Sequence, residues 1–119
     1  MGMLFSVTDP RGIIVTCDQS RWNRHICRTH PEVRDWKTLV QEAIQKPRFI
    51  SASKIRRDTE VYYLDDILPD KYSKCWLRVL VRFQGRGQKR KGCVATAHAV
   101  RRLDKEEKAI WLRKESLSS

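Results

Sequence analysis

The chain has 119 residues, 25 Lys and Arg against 14 Asp and Glu, a formal charge of +11 and 40% hydrophobic residues. That length suits one domain, expected over 1–119 with its core at about 7–111, and the apolar fraction excludes wholesale disorder. No apolar run approaches the ~20 residues of a membrane span. The opening MGMLFSVTDP is broken too soon by Asp9 and Pro10 to be a secretory signal, so a cytoplasmic, non-membrane protein is expected.

Gly2 and Ser6 match the bare myristoylation pattern, which is short enough to be met by chance. Leu4–Thr8 and Ile13–Cys17 are short β-rich runs joined by the turn residues DPRG, which reads as a hairpin. Asp18 or Ser20 can cap a helix over about Arg21–Arg28, with Trp22 and Ile26 on one face. The stretch THPEVRDWKTLVQEAIQKP carries Val33, Trp36, Leu39, Val40, Ala43 and Ile44 at three- and four-residue spacing, which predicts one amphipathic helix. Thr29 and Glu32 have capping-box spacing, Pro31 suits a first turn and Pro47 ends the run.

Arg48–Ser53 and Glu60–Leu64 are candidate strands joined by the polar KIRRDT. After the loop DDILPDKYSK, CWLRVLVRF alternates: Leu77, Val79, Val81 and Phe83 face one way, Trp76, Arg78, Leu80 and Arg82 the other. In CVATAHAV, strict alternation puts Cys93, Ala95, Ala97 and Ala99 on one face and Val94, Thr96, His98 and Val100 on the other. The tail LDKEEKAIWLRK reads as a short helix or an edge strand in which Ile110 and Trp111 dock, with 112–119 frayed. Helices followed by antiparallel strands give an α+β domain.

The densest charge lies in GRGQKRKG, where Arg86, Lys89, Arg90 and Lys91 sit in a glycine-bracketed loop. Such a loop is either a solvated hairpin tip or a mobile arm on a phosphate backbone. The flanking Arg78, Arg82, Arg101 and Arg102 favour nucleic acid. A membrane surface is disfavoured, because no segment pairs its basic residues with a broad apolar face. Cys17, Cys27, Cys75 and Cys93 contain no CxxC pair, so free thiols are expected. A zinc site would have to join Cys27 and His30 to two distant ligands.

The three histidines carry the case for chemistry. Imidazole takes and gives protons near neutrality, and cutting RNA without a metal needs a base for the 2′-hydroxyl and an acid for the 5′-oxygen. It also needs donors for the charge on the phosphorane. His25 or His30 with His98, arginines and Thr96 would supply these parts. Each also has a bland reading: a half-buried helical histidine, a helix start, an ordinary strand threonine and a solvated sheet face. No cofactor-binding motif of the Walker or dinucleotide type occurs.

The ordered series RHICRTHPEV, AIQKPRFI, the pair Tyr62–Tyr63, LRVLVRF, VATAHAV and AIWLRK resembles the phage-associated nucleases of the barnase–EndoU–colicin–RelE superfamily. The likeness runs over about Val7–Trp111. It implies amino-terminal helices packed on a four-stranded antiparallel sheet, and a metal-independent endoribonuclease of toxin or effector type. By this resemblance His25 is the helical proton-transfer histidine, and His30 is a second catalytic group or a positioning one. Thr96 is implied to bond the scissile phosphate, and His98 stands where the family often has tyrosine. Arg56, Arg57, Arg78 and Arg82 join as phosphate clamps by their chemistry, since guanidinium makes paired bonds to phosphate. RNA is the implied partner, with an acidic inhibitor protein as a second. A catalytically inactive binding module of the same fold is the alternative, because a fold alone does not carry activity.

Overall fold

The computed structural model describes residues 2–65 and 68–114. Its strands are β1 (Met3–Thr8), β2 (Ile14–Asp18), β3 (Phe49–Ala52), β4 (Thr59–Leu64), β5 (Trp76–Gln84), β6 (Lys91–Val100) and β7 (Lys108–Leu112). Among the described residues they form one seven-stranded sheet in the order β1-β2-β6-β5-β4-β3-β7. The fold is α+β, as the residue pattern implies. The sheet is mixed rather than a separate hairpin beside four antiparallel strands, because β2 docks parallel to β6 through Ile14–Thr16. β7 then adds antiparallel to β3 at the opposite edge.

The hairpin forms around Asp9, whose carboxylate accepts the Arg11 and Ile13 backbone N–H groups at 2.9 and 3.0 Å. Gly12 closes it at φ +88°, a conformation side chains disfavour. The same carboxylate is buried, and it accepts from Arg11 Nη2 at 2.8 Å and the Tyr62 hydroxyl at 2.8 Å. These bonds supply the partners a buried charge requires. Arg11 continues to Glu60 at 2.7 Å, and Glu60 holds Arg90 at 2.6 Å.

A helical segment, 19–29, follows, opened by the Asp18 carboxylate accepting the Arg21 N–H at 3.0 Å. Its middle, Trp22–Ile26, is a π-turn whose Trp22 and Ile26 enter the core. The single long helix expected from residue 31 is broken in two. Pro31–Asp35 is a 3-10 turn, Trp36 leaves helical geometry at φ −108°, and only Lys37–Gln45 is α-helical. Thr29 and Glu32 form no capping box: His30 is the residue before the turn, it makes no side-chain cap, and Glu32 bonds elsewhere. Pro31 pushes His30 out of the helical region and so separates the 3-10 turn from segment 19–29, while the break at Trp36 has no counterpart in the residue pattern.

The helices cover one sheet face. Leu77, Val79, Val81 and Phe83 of β5 are buried there against Ile26, Val33, Val40 and Ile44, which bears out the alternation of β5. Truncating any one to alanine would cost about 2–4 kcal/mol. β6 does not alternate throughout. Leu80 pairs with Thr96 but Val81 pairs with Val94, so Ala95 is an extra residue, a β-bulge. The bulge flips parity. Val94 joins Ala97 in the core, and Cys93 shares the second face with Thr96 and His98.

The second face holds the aromatic cluster Phe49, Tyr63 and Trp76, with Phe49 stacked on Tyr63 at 4.8 Å. Segment 101–107 runs across it from the Val100 end of β6 to the opposite end of the sheet, where β7 begins. Lys54 ties that segment down through Asp104 at 2.7 Å and Glu106 at 2.9 Å. The tail is therefore an edge strand. Trp111 docks, while Ile110 is 47% exposed and does not. Residues 115–119 of the expected frayed tail, and residues 66 and 67 of the expected loop, lie outside the described residues. All four cysteines are free, Cys17 and Cys27 buried, Cys75 half-buried and Cys93 exposed.

Candidate functional site

Cross-strand register builds a polar row on the second face. Tyr63 of β4 stands opposite Arg78 of β5, and Arg78 stands opposite His98 of β6. Arg78 Nε donates to the Tyr63 hydroxyl at 3.0 Å, and Nη1 donates to His98 Nε2 at 3.0 Å. Glu107, nearly sealed from solvent, accepts from both Arg78 Nη2 and the Tyr63 hydroxyl. Burial and the bond to Glu107 push the Tyr63 phenol up to about 12, so it stays protonated.

Guanidinium has no acceptor, so His98 Nε2 must accept and the ring proton sits on Nδ1. Burial, then the neighbouring His30, then Arg78 pull His98 down to about 4, with Glu32 opposing. His98 is thus a neutral ring at pH 7.

His30 reaches this row from the other direction. The helical segment ends with the His30 N–H on the Ile26 carbonyl at 2.8 Å, and His30 then turns out at φ −131°, ψ 78° ahead of Pro31. Its ring meets that of His98 with centroids 4.7 Å apart. The joint is fixed to β6 by Glu32, which accepts the Ala99 N–H at 3.3 Å and lies 4.0 Å from His30 Nδ1. Beyond Cys93, β6 is not paired with β2, and this stretch receives the helices: Arg21 Nε also donates to the Ala95 carbonyl at 3.0 Å.

The expected residues divide accordingly. His30, His98 and Arg78 come together, and Thr96 lies two residues from His98 on the same face. Thr96 Oγ1 is shielded from solvent and has no hydrogen-bond partner among the described residues. His25 is exposed on the π-turn, and among the described residues no hydrogen bond or ring contact joins it to the other histidines. Arg78 is not a free clamp, because Glu107 neutralises it. Arg56 is paired with Asp58 at 3.1 Å, which holds that carboxyl down to about 2. Arg90 is no mobile arm: it lies 4.2 Å over the Phe83 ring and is paired with Glu60. Arg57, Arg82, Arg86, Lys89 and Lys91 are exposed. Arg82 borders a cavity of about 220 Å³ with Arg21, Asp18 and Cys93.

The zinc arrangement around Cys27 and His30 finds no further ligands. Cys27 packs in the core, and no three His, Cys, Asp or Glu groups able to hold a metal meet among the described residues. Glu107 is the member of the site that sequence reasoning missed. Its only signal was a carboxylate in a tail that the strand pattern left open. No helix among the described residues is long and apolar enough to cross a membrane. Comparison with protein-family models, curated proteins and solved structures finds no match to this chain.

Proposed function

We propose that the protein is a metal-independent endoribonuclease of the barnase–EndoU–colicin–RelE type, acting in the cytoplasm as a toxin or effector. The observation that carries this reading is the meeting of His30 and His98, 68 positions apart in the chain, at 4.7 Å in front of Arg78. The antiparallel run β6-β5-β4-β3 supports the fold, and the charge of +11 supports an RNA partner. It equally favours an acidic inhibitor protein.

His30 is the ring with access to solvent and takes the proton of a 2′-hydroxyl. The 2′-oxygen then bonds to the adjacent phosphorus, the bond to the 5′-oxygen breaks, and the imidazolium returns its proton to that oxygen. The products are a 2′,3′-cyclic phosphate and a 5′-hydroxyl. Arg78 has five N–H groups and spends three on His98, Tyr63 and Glu107, which leaves two for a phosphate oxygen. His98 positions His30 and offers its Nδ1–H. The unpaired Thr96 hydroxyl supports a polar substrate group arriving beside it.

The neutral His98 and the neutralised Arg78 favour a second reading, an RNA-binding module without turnover. Incubation with RNA in chelator separates the two. Wild type should cut, and His30→Ala should cut at least about 100-fold more slowly. An uncut RNA with wild type, or a loss confined to His25→Ala, would overturn the assignment.

A further inference from the structure

A cationic hollow lies at the end of β6 that carries the histidine pair. The 3-10 turn Asp70–Tyr72 and the bend behind it, closed by the Cys75 N–H on the Tyr72 carbonyl at 2.9 Å, pack beside the end of β6. Two adjoining cavities of about 340 and 470 Å³ lie there, lined by Lys71, Lys74, Arg101, Cys75, Tyr72 and Ala99. Among the described residues no Asp or Glu lines either one. All three cations are exposed, and none has an ion-pair partner among the described residues. Lys71 Nζ instead sits 5.5 Å over the Tyr72 ring, which Trp36 holds edge-on at 5.2 Å.

Like charges gathered without a counter-carboxylate repel, and an anion between them relieves that repulsion. Apart from Tyr72 the lining is charged or small, which suits backbone phosphate and not a base. Ala99 supplies the connection. Its N–H is held by Glu32, two residues from His30, and it follows His98 on the strand. Ala99 faces the helix-covered side of the sheet, opposite to the His98 ring, so the hollow lies around the free edge of β6 from the histidine pair, where Glu32 holds the Ala99 N–H.

We propose that Lys71, Lys74 and Arg101 form a phosphate subsite that holds the backbone of a single RNA strand next to the link presented to His30. The strand's identity as substrate rests on the ribonuclease reading. Contacts of this kind position the chain without reading its sequence.

The test uses the full chain and a short fluorescent 2′-O-methyl oligoribonucleotide, so that binding is read without cleavage. Lys71→Gln, Lys74→Gln and Arg101→Gln are combined, and a thermal melt checks the fold. A second triple, Lys46→Gln, Lys108→Gln and Lys114→Gln, removes the same net charge from exposed positions outside any proposed RNA contact. The first triple should weaken binding at least about 10-fold and make the slope of log affinity against log salt shallower by about 2. Equal losses from the two triples, or no loss from the first, overturn the subsite.

Cys75 gives an independent reading, taken in a Cys93→Ser background that removes the exposed thiol. The oligonucleotide should slow modification of Cys75 by a dianionic aromatic disulfide several-fold, and an unchanged rate contradicts the proposal. Binding that is sensitive to the first triple, in a wild type that cuts no RNA, keeps the subsite and ends the ribonuclease reading. Cleavage together with binding indifferent to that triple does the reverse.

Discussion

His98 shows how one strand position turns a titrating residue into a fixed one. Its ring is packed against His30 and accepts a bond from Arg78, so a proton on Nε2 would face a guanidinium at 3.0 Å. Its resonances should hold constant from pH 8 to about 5 in an NMR titration and move only near pH 4. A midpoint near the usual value of about 6.5 would contradict the burial of this ring between His30 and Arg78. The stability consequence has a definite sign. The folded pKa lies below the unfolded one, so the unfolded chain gains its proton first as pH falls. The contribution of His98 is complete above about pH 6.5 and is lost on the way down to about 4. Partial exposure screens the effect to about 1 kcal/mol, or about 5 °C in Tm. In His98→Asn the amide oxygen still accepts from Arg78 and nothing titrates, so thermal melts at pH 7 and 4.5 should differ by that much less than in wild type. Carboxylates contribute to acid loss in both proteins, so the difference between them is the informative quantity.

At the scale of elements, β6 decides the site, and it was only half legible. Parity correctly places Thr96 and His98 together, and it places Arg78 on the polar face of β5. The bulge at Ala95 was hidden, because Val94, Ala95 and Thr96 are all ordinary strand residues and only pairing with Leu80 and Val81 reveals the extra one. The broken helix was hidden differently: the apolar stripe from Val33 to Ile44 runs unbroken through Trp36, which is buried whether or not it is helical. Gly92 tests the tightness of this strand. A β-carbon there would stand 2.6 Å from Val81 Cγ1 and 2.8 Å from a Phe83 ring carbon. Gly92→Ala should therefore destabilise the protein by about 1–3 kcal/mol in denaturant titration. A variant as stable as wild type would mean that β5 and β6 are more loosely packed than described.

For the molecule as a whole, the charge of +11 was readable at once, but its arrangement was not. Local composition pointed to the loop 85–91, yet Arg90 there is bound inward by Glu60, a residue 30 positions away. Arg78 is likewise neutralised by Glu107, supplied by a segment crossing the second face of the sheet. Long-range pairing of this kind depends on topology, which periodicity does not encode. His30 and His98 were named as candidates from their chemistry, but their contact follows from β6 receiving the helix joint along the stretch that β2 leaves unpaired. The most direct test of that contact is end-group analysis on a DNA oligonucleotide carrying a single ribose, incubated with wild type in chelator. One cut should follow that ribose and leave a 2′,3′-cyclic phosphate and a 5′-hydroxyl. A 5′-phosphate end, a cut elsewhere or an intact strand would contradict the mechanism.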